Sequence, residues 1–117
     1  MKRLSVVALA LLLIGLLASA EPFKDKKDTG LKTVTGKVLD KHDSALASSV
    51  VYLTNTRTRT IKTYIAGQDG GYRFPALSPD IDYEIYAQFN GHKSDTKMVS
   101  QFDNRPVMNI DLRIDTK

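Results

Sequence analysis

The 117 residues contain no cysteine and no tryptophan, and only two histidines. Without cysteine no disulfide can staple a small fold, so its core must hold it alone. The same absence rules out a lipid-modified cysteine, and with only His42 and His92 it argues against a zinc site. No Gly-x-Ser-x-Gly, P-loop or dinucleotide fingerprint occurs, nor His-Glu-x-x-His. Charge of one sign is also lacking: 17 Lys+Arg stand against 13 Asp+Glu. Such a balance gives no electrostatic footprint for nucleic acid. Long apolar runs are absent after Leu17, so no stable membrane span is expected downstream of that residue.

The one apolar run present is Leu4 to Leu17, preceded by Lys2 and Arg3 and followed by Ala18-Ser19-Ala20 and the polar Glu21-Pro22. A charged start, a short apolar middle and a small-x-small triplet describe a secretory signal peptide. The reading predicts a signal helix over 1–20, cut after Ala20 with Ala18 and Ala20 as the small pair and Glu21 as the new N-terminus. It predicts a protein exported to the periplasm or secreted. Loss of Lys2 and Arg3 would lower the formal net charge from +4 to +2. Residues 21–32 follow as a charged linker, expected to be flexible because mixed charge with few apolar residues cannot bury enough surface to order itself.

From Thr33 the chain reads as all-β. Val34, Gly36 and Val38 alternate with polar residues, and Val50-Val51-Tyr52-Leu53 suits a strand near the centre of a sheet. Ile61 to Ala66 forms a third segment, Tyr72-Arg73-Phe74 a fourth. Tyr83, Ile85, Ala87 and Phe89 alternate most cleanly, Lys93 to Val99 follows, and Met108, Ile110, Leu112 and Ile114 mark a last strand. Turn residues separate them, with Asp69-Gly70-Gly71 the sharpest signal, since glycine accepts positive φ without steric cost. The spacing predicts a seven-stranded, mostly antiparallel Greek-key β-sandwich over 33–117. No helix is available to carry a crossover, which excludes parallel pairing on this reading.

Thr35-Gly36-Lys37-Val38-Leu39-Asp40 and Val50-Val51-Tyr52-Leu53 resemble the opening strands of a carboxypeptidase regulatory-like domain. Asp69-Gly70-Gly71-Tyr72-Arg73-Phe74 is similar to that family's Asp-x-x-Gly-x-Tyr-x-Phe segment, and Leu77-Ser78-Pro79 with Tyr83 to its Leu-x-Pro-Gly-x-Tyr turn. The resemblance runs from Thr33 to Ile114 and implies a transthyretin-like sandwich, related in architecture to starch-binding-like domains. The chain departs from the family at three turns. Ser44 stands where glycine is usual, Ala47-Ser48-Ser49 replaces Pro-Gly-Ala, and Asp80 replaces the glycine after Pro79. The peptidase chemistry in the family's name has no residues here. Hydroxyisourate hydrolases share the fold but end in Tyr-Arg-Gly-Ser, whereas this chain ends Ile114-Asp115-Thr116-Lys117, so that activity is not carried over.

The expectation is therefore a binding or structural module of the cell envelope or exterior, not an enzyme, with no catalytic residues, no cofactor and no metal. His42 beside Asp43 reads as a solvated turn. Asp69 lacks the six or more oxygen ligands calcium needs. Tyr72, Phe74, Tyr83 and Phe89 have core spacing. Tyr52, Tyr64 and Tyr86 are expected to face outward, and with Arg57 and Arg59 on the Thr54–Thr60 tip they make the candidate binding surface. The expected partner is a protein, met by loops or by strand addition at a sheet edge. The alternative is an envelope polysaccharide, which would need exposed coplanar rings. A hydrolase of this fold is disfavoured because no nucleophile–base pair is visible.

Overall fold

A computed structural model describes residues 30–117. The expected signal segment, its cleavage site at Ala18, Ala20 and Glu21, and the linker as far as Thr29 lie outside the described residues. Nine strand segments follow in order: β1 Lys32–Asp40, β2 Val50–Asn55, β3 Ile61–Ile65, β4 Gly71–Leu77, β5 Tyr83–Phe89, β6 His92–Lys93, β7 Lys97–Val99, β8 Val107–Asn109 and β9 Leu112–Ile114. Two of the expected strands are each broken in two, which accounts for the larger number. Among the described residues no helix is long and apolar enough to cross a membrane.

The strands form two sheets. In the first, β1 is central, with β4 antiparallel on one side and β8 and β9 in succession along the other. In the second, β2 and β5 are the central antiparallel pair, β3 lies outside β2, and β6 and β7 lie outside β5. Period-two alternation decides which side chains meet between them. Val34, Val38, Tyr72, Phe74, Leu112 and Ile114 of the first sheet are buried against Val51, Leu53, Ile85, Ala87 and Val99 of the second. Lys32 occupies the next inward position of β1 and is 4% exposed; its ammonium donates to the Ser100 carbonyl at 3.0 Å.

The exclusion of parallel pairing is corrected. β8 and β9 both run parallel to β1, pairing Val34 with Met108 and Val38 with Leu112. A parallel neighbour needs a long connection, which in most folds is a helix. Here the connection is the rest of the sandwich, because the chain completes the second sheet before returning to β1.

The return strand is broken at Ile110 and Asp111, although the register with β1 is the same on either side. Ile110 N–H still donates to the Thr35 carbonyl at 2.8 Å. Its carbonyl turns onto Gly36, where an added Cβ would collide with it, and accepts the Tyr72 hydroxyl at 2.5 Å. The Asp111 carboxylate takes over the ladder role and accepts the Lys37 N–H at 3.0 Å. Gly36, Tyr72 and Asp111 thus hold the break in a fixed form. A glycine inside a strand marks this kind of close backbone approach.

The three turns that depart from the family resemblance resolve differently. At the first, Asp43 rather than Ser44 takes positive φ (68°), and Asp40 anchors the loop by accepting the N–H groups of His42 and Ser44. Asp80 needs no positive φ, and its N–H is held by the Ser78 hydroxyl at 3.2 Å. Ser48, however, holds φ at 67° with a Cβ attached. That conformation costs a non-glycine residue about 1–2 kcal/mol, of which glycine's extra unfolded-state entropy returns about 0.5–1. Ser48→Gly is expected to raise stability by about 0.5 kcal/mol, measurable as a higher urea midpoint at unchanged slope.

Candidate interaction surface

Register across the second sheet assembles its outer face from the residues between the buried ones. Tyr52 lies opposite Tyr86 and Thr63; Val50 opposite Gln88 and Ile65; Thr54 opposite Glu84 and Ile61; Glu84 in turn opposite Met98. The Tyr52 and Tyr86 rings stack at 4.9 Å between centroids with 18° between planes, and the Lys93 ammonium lies 4.4 Å from the Tyr86 centroid. Around this pair Ile61 is 59% exposed, Ile65 65% and Met98 53%. Large apolar side chains left in water on one face of a sheet mark a contact surface more than scattered ones do.

Of the expected binding residues, Tyr52 and Tyr86 are brought together as one outward feature. Tyr64 is not, and its assignment to that face is corrected. It pairs with Val51, so it points to the inner side, and its ring meets Phe74 edge-on at 6.0 Å between centroids. It remains 40% exposed because β3 is the edge of its sheet and the ring overhangs the margin of the core. Arg57 and Arg59 sit at the end of the sandwich, on the β2–β3 hairpin. Arg57 donates to the Asp80 carbonyl at 2.9 Å, while Arg59 takes positive φ (68°) to close the hairpin. Asn55 shapes this loop by accepting the N–H groups of Arg57 and Thr58.

Asp69, Gly70 and Gly71 serve the β3–β4 turn. The Asp69 carboxylate accepts the Gly71 N–H at 2.8 Å, and Gly70 has φ of 79°. Beside this turn an open cleft of about 710 Å³ is lined by Lys37, Tyr64, Asp69, Tyr72, Arg73 and Asp111, among others. Three of its polar groups are already engaged in the fold: Asp69 in the turn, Asp111 on the Lys37 N–H, and the Tyr72 hydroxyl on Ile110. Burial, with the Asp111 charge adding to it, pushes the Tyr72 phenol far above its ordinary value, so it stays a donor. The Asp43 carboxylate pairs with Arg113, and the His42 N–H donates to Asp40. No group of three or more metal-ligating side chains occurs among the described residues.

Three carboxylates, Asp115 exposed and Asp40 and Asp103 half-buried, are held below the ordinary range by hydrogen bonds to their charged form. Asp103 is lowered to about 2, chiefly by the Arg105 side chain, which reaches it at 2.6 Å. The N–H groups of Ser44 and His42 lower Asp40, and that of Lys117 lowers Asp115. Depressed acid groups contribute stability above their unfolded-state values and lose it as pH falls through the folded ones. A melting temperature constant from neutral pH to about 5 should therefore decline between about pH 4 and 2. All three keep contact with solvent, so screening keeps the decline shallow, and added salt should flatten it further.

Similarity to known proteins follows the fold. The sequence profile of the carboxypeptidase regulatory-like domain matches residues 33–113. No curated protein matches the sequence. Among solved structures, the dioxygenase domain of a dioxygenase–carbohydrate-binding protein fusion from Streptomyces sp. SirexAA-E is similar, at 15% identity over 77% of this chain and 84% of that one, with a TM-score of 0.53. The major pilin subunit BcpA of Bacillus cereus is similar at 11% identity over 74% of this chain and 30% of the pilin (TM-score 0.56). A C-terminal fragment of the pilus adhesin SpaC from Lactobacillus rhamnosus GG is similar at 12% identity over 73% of this chain and 45% of the fragment (TM-score 0.50). At these identities the likeness is one of fold alone. With its two-sheet all-β architecture and a family match over most of its length, the chain belongs to the carboxypeptidase regulatory-like domain family.

Proposed function

We propose that this protein is an exported, non-catalytic interaction module of the cell envelope or exterior. It binds a protein partner through the outer face of its second sheet, centred on Tyr52 and Tyr86. The observation that carries the reading is the grouping on one face of a stacked tyrosine pair with Ile61, Ile65 and Met98 exposed beside it. Stacked rings are rigid, so little side-chain entropy is lost on contact, and aromatic and methionine side chains are favoured at the centres of protein interfaces. The presence of the same fold in a pilin subunit and a pilus adhesin supports a role at the cell exterior. The face suits a protein better than a polysaccharide. Each tyrosine spends one ring face on the other, which leaves no pair of free coplanar rings for sugars.

The test is affinity capture from an envelope extract, with bound protein and polysaccharide both quantified, followed by direct binding of the enriched partner. Tyr86→Ala and Met98→Lys are each expected to weaken that partner by roughly 10- to 100-fold, as central interface residues do. Arg113→Ala, on the first sheet, should leave it unchanged. Enriched polysaccharide without protein, or binding indifferent to Tyr86→Ala, would overturn the reading.

A further inference from the structure

Two open sheets present four edges, and an exposed edge is a template for another strand. Three of the four are blunted here. β4 carries Pro75 and a bulge at Ala76, which holds φ at 61°. The β8–β9 side is broken at Ile110 and Asp111. The β6–β7 side offers segments of only two and three residues. β3 is unlike them. Its five residues pair with β2 without a register shift, all five are exposed, and none is proline or glycine. Lys62 is its one charged residue.

The strand reads Ile61-Lys62-Thr63-Tyr64-Ile65, a near-palindrome in residue character. An antiparallel second copy with Thr63 facing Thr63 places Ile61 against the partner's Ile65 on the outer face. On the other face Lys62 meets the partner's Tyr64, a cation against a ring. A parallel alignment would instead oppose Lys62 to Lys62, and like charges directly opposite are destabilising. Beyond the strand ends the antiparallel register brings the basic turn with Arg57 and Arg59 of one copy toward the turn carrying the partner's Asp69. A two-fold axis at Thr63 makes each of these contacts occur twice.

We propose that β3 is a self-pairing edge. Two copies of this chain join β3 to β3 antiparallel about Thr63, fusing their five-stranded sheets into one continuous sheet. The proposal goes beyond the module reading and stands without it: a chain that captured no envelope protein but formed this dimer would sink the former alone.

The absence of cysteine makes a single introduced one a specific reporter. The full chain, purified as the producing cell processes it, is compared with Thr63→Cys and Ile61→Cys. Directly opposed residues have Cα atoms about 4.5–5.5 Å apart, within disulfide reach, whereas the two copies of position 61 would be about 13 Å apart. Thr63→Cys is expected to form a covalent dimer under mild oxidation at least about tenfold faster than Ile61→Cys, and a mixture of Ile61→Cys with Ile65→Cys should form the mixed dimer. In sedimentation, the unmodified chain should be a reversible dimer. Tyr64→Lys, which opposes two lysines twice, should be a monomer, and adding Lys62→Glu should restore the dimer. An unmodified chain that remains monomeric at about millimolar concentration, weaker than most specific pairs, would overturn the proposal and leave β3 to a strand from another chain. So would a Thr63→Cys no faster than Met98→Cys. If Tyr64→Lys fails to fold, the cysteine comparison still decides.

Discussion

Gly36→Ala is expected to lower stability by about 3 kcal/mol, the upper end for a steric insertion into a packed interior. In a domain of this size that corresponds to a melting temperature lower by roughly 15 °C, read by circular dichroism or calorimetry. A single methyl has this effect because of what it meets. The added Cβ would land on the Ile110 carbonyl, a backbone group fixed from several sides. The Ile110 N–H is held by Thr35, its carbonyl by the Tyr72 hydroxyl, and the next residue by the Asp111–Lys37 bond. Relief requires moving the return strand off β1, which opens the core around Met108 and Leu112. Tyr72→Phe is the milder companion: it leaves the carbonyl in place but unsatisfied, a loss of about 1–3 kcal/mol. If Gly36→Ala melted like the unmodified chain, the break at Ile110 and Asp111 would have to take another form.

The same device shows where the sequence was legible and where it was not. Alternation placed Val34, Val38, Ile85, Ala87, Leu112 and Ile114 inward, and all are buried. That signal is strong because these strands have one face against the other sheet and a one-residue slip would invert every side chain. It carried no trace of the break at Ile110, because the register on either side of it is unchanged and the inward period continues through Met108 and Leu112. Only Gly36, a glycine within a strand, hinted that a backbone comes close. Lys32 reads as the end of the charged linker, yet it keeps the inward period of β1, and a long stem lets its ammonium reach the Ser100 carbonyl. Tyr64 reads as outward from sequence yet points inward, because edge strands are exposed on both faces and exposure and direction part company there. The candidate face itself was half legible. Tyr52 and Tyr86 followed from strand period, but their stacking depends on the pairing of β2 with β5, and the company of Met98 on the pairing of β7 with β5. Neither pairing is written in local pattern.

Gly70→Val is expected to cost about 3 kcal/mol, and the reason can be separated into two parts by experiment. Gly70 sits at φ of 79°, which alone costs a side chain about 1–2 kcal/mol. An added Cβ would also stand 2.6 Å from the Val38 carbonyl. That carbonyl accepts the Leu46 N–H at 2.9 Å, while the Val38 N–H donates to the Gly70 carbonyl at 2.9 Å. The turn is therefore bonded directly to β1, and pushing it away breaks contacts on both sides of Val38. Asparagine tolerates positive φ far better than valine does but has the same Cβ. If conformation were the whole cost, Gly70→Asn would lose less than about 1 kcal/mol. Because the close approach contributes as well, Gly70→Asn should lose about 2 kcal/mol. Gly91 supplies the control: its φ of 82° is nearly the same, but nothing lies within 4 Å of an added Cβ. Gly91→Asn should thus cost under about 1 kcal/mol, and urea midpoints for the three variants would rank Val at 70, then Asn at 70, then Asn at 91. Equal losses for asparagine at the two sites would show that Gly70 is required for its backbone angle alone, and that the turn does not press on β1 as the geometry describes.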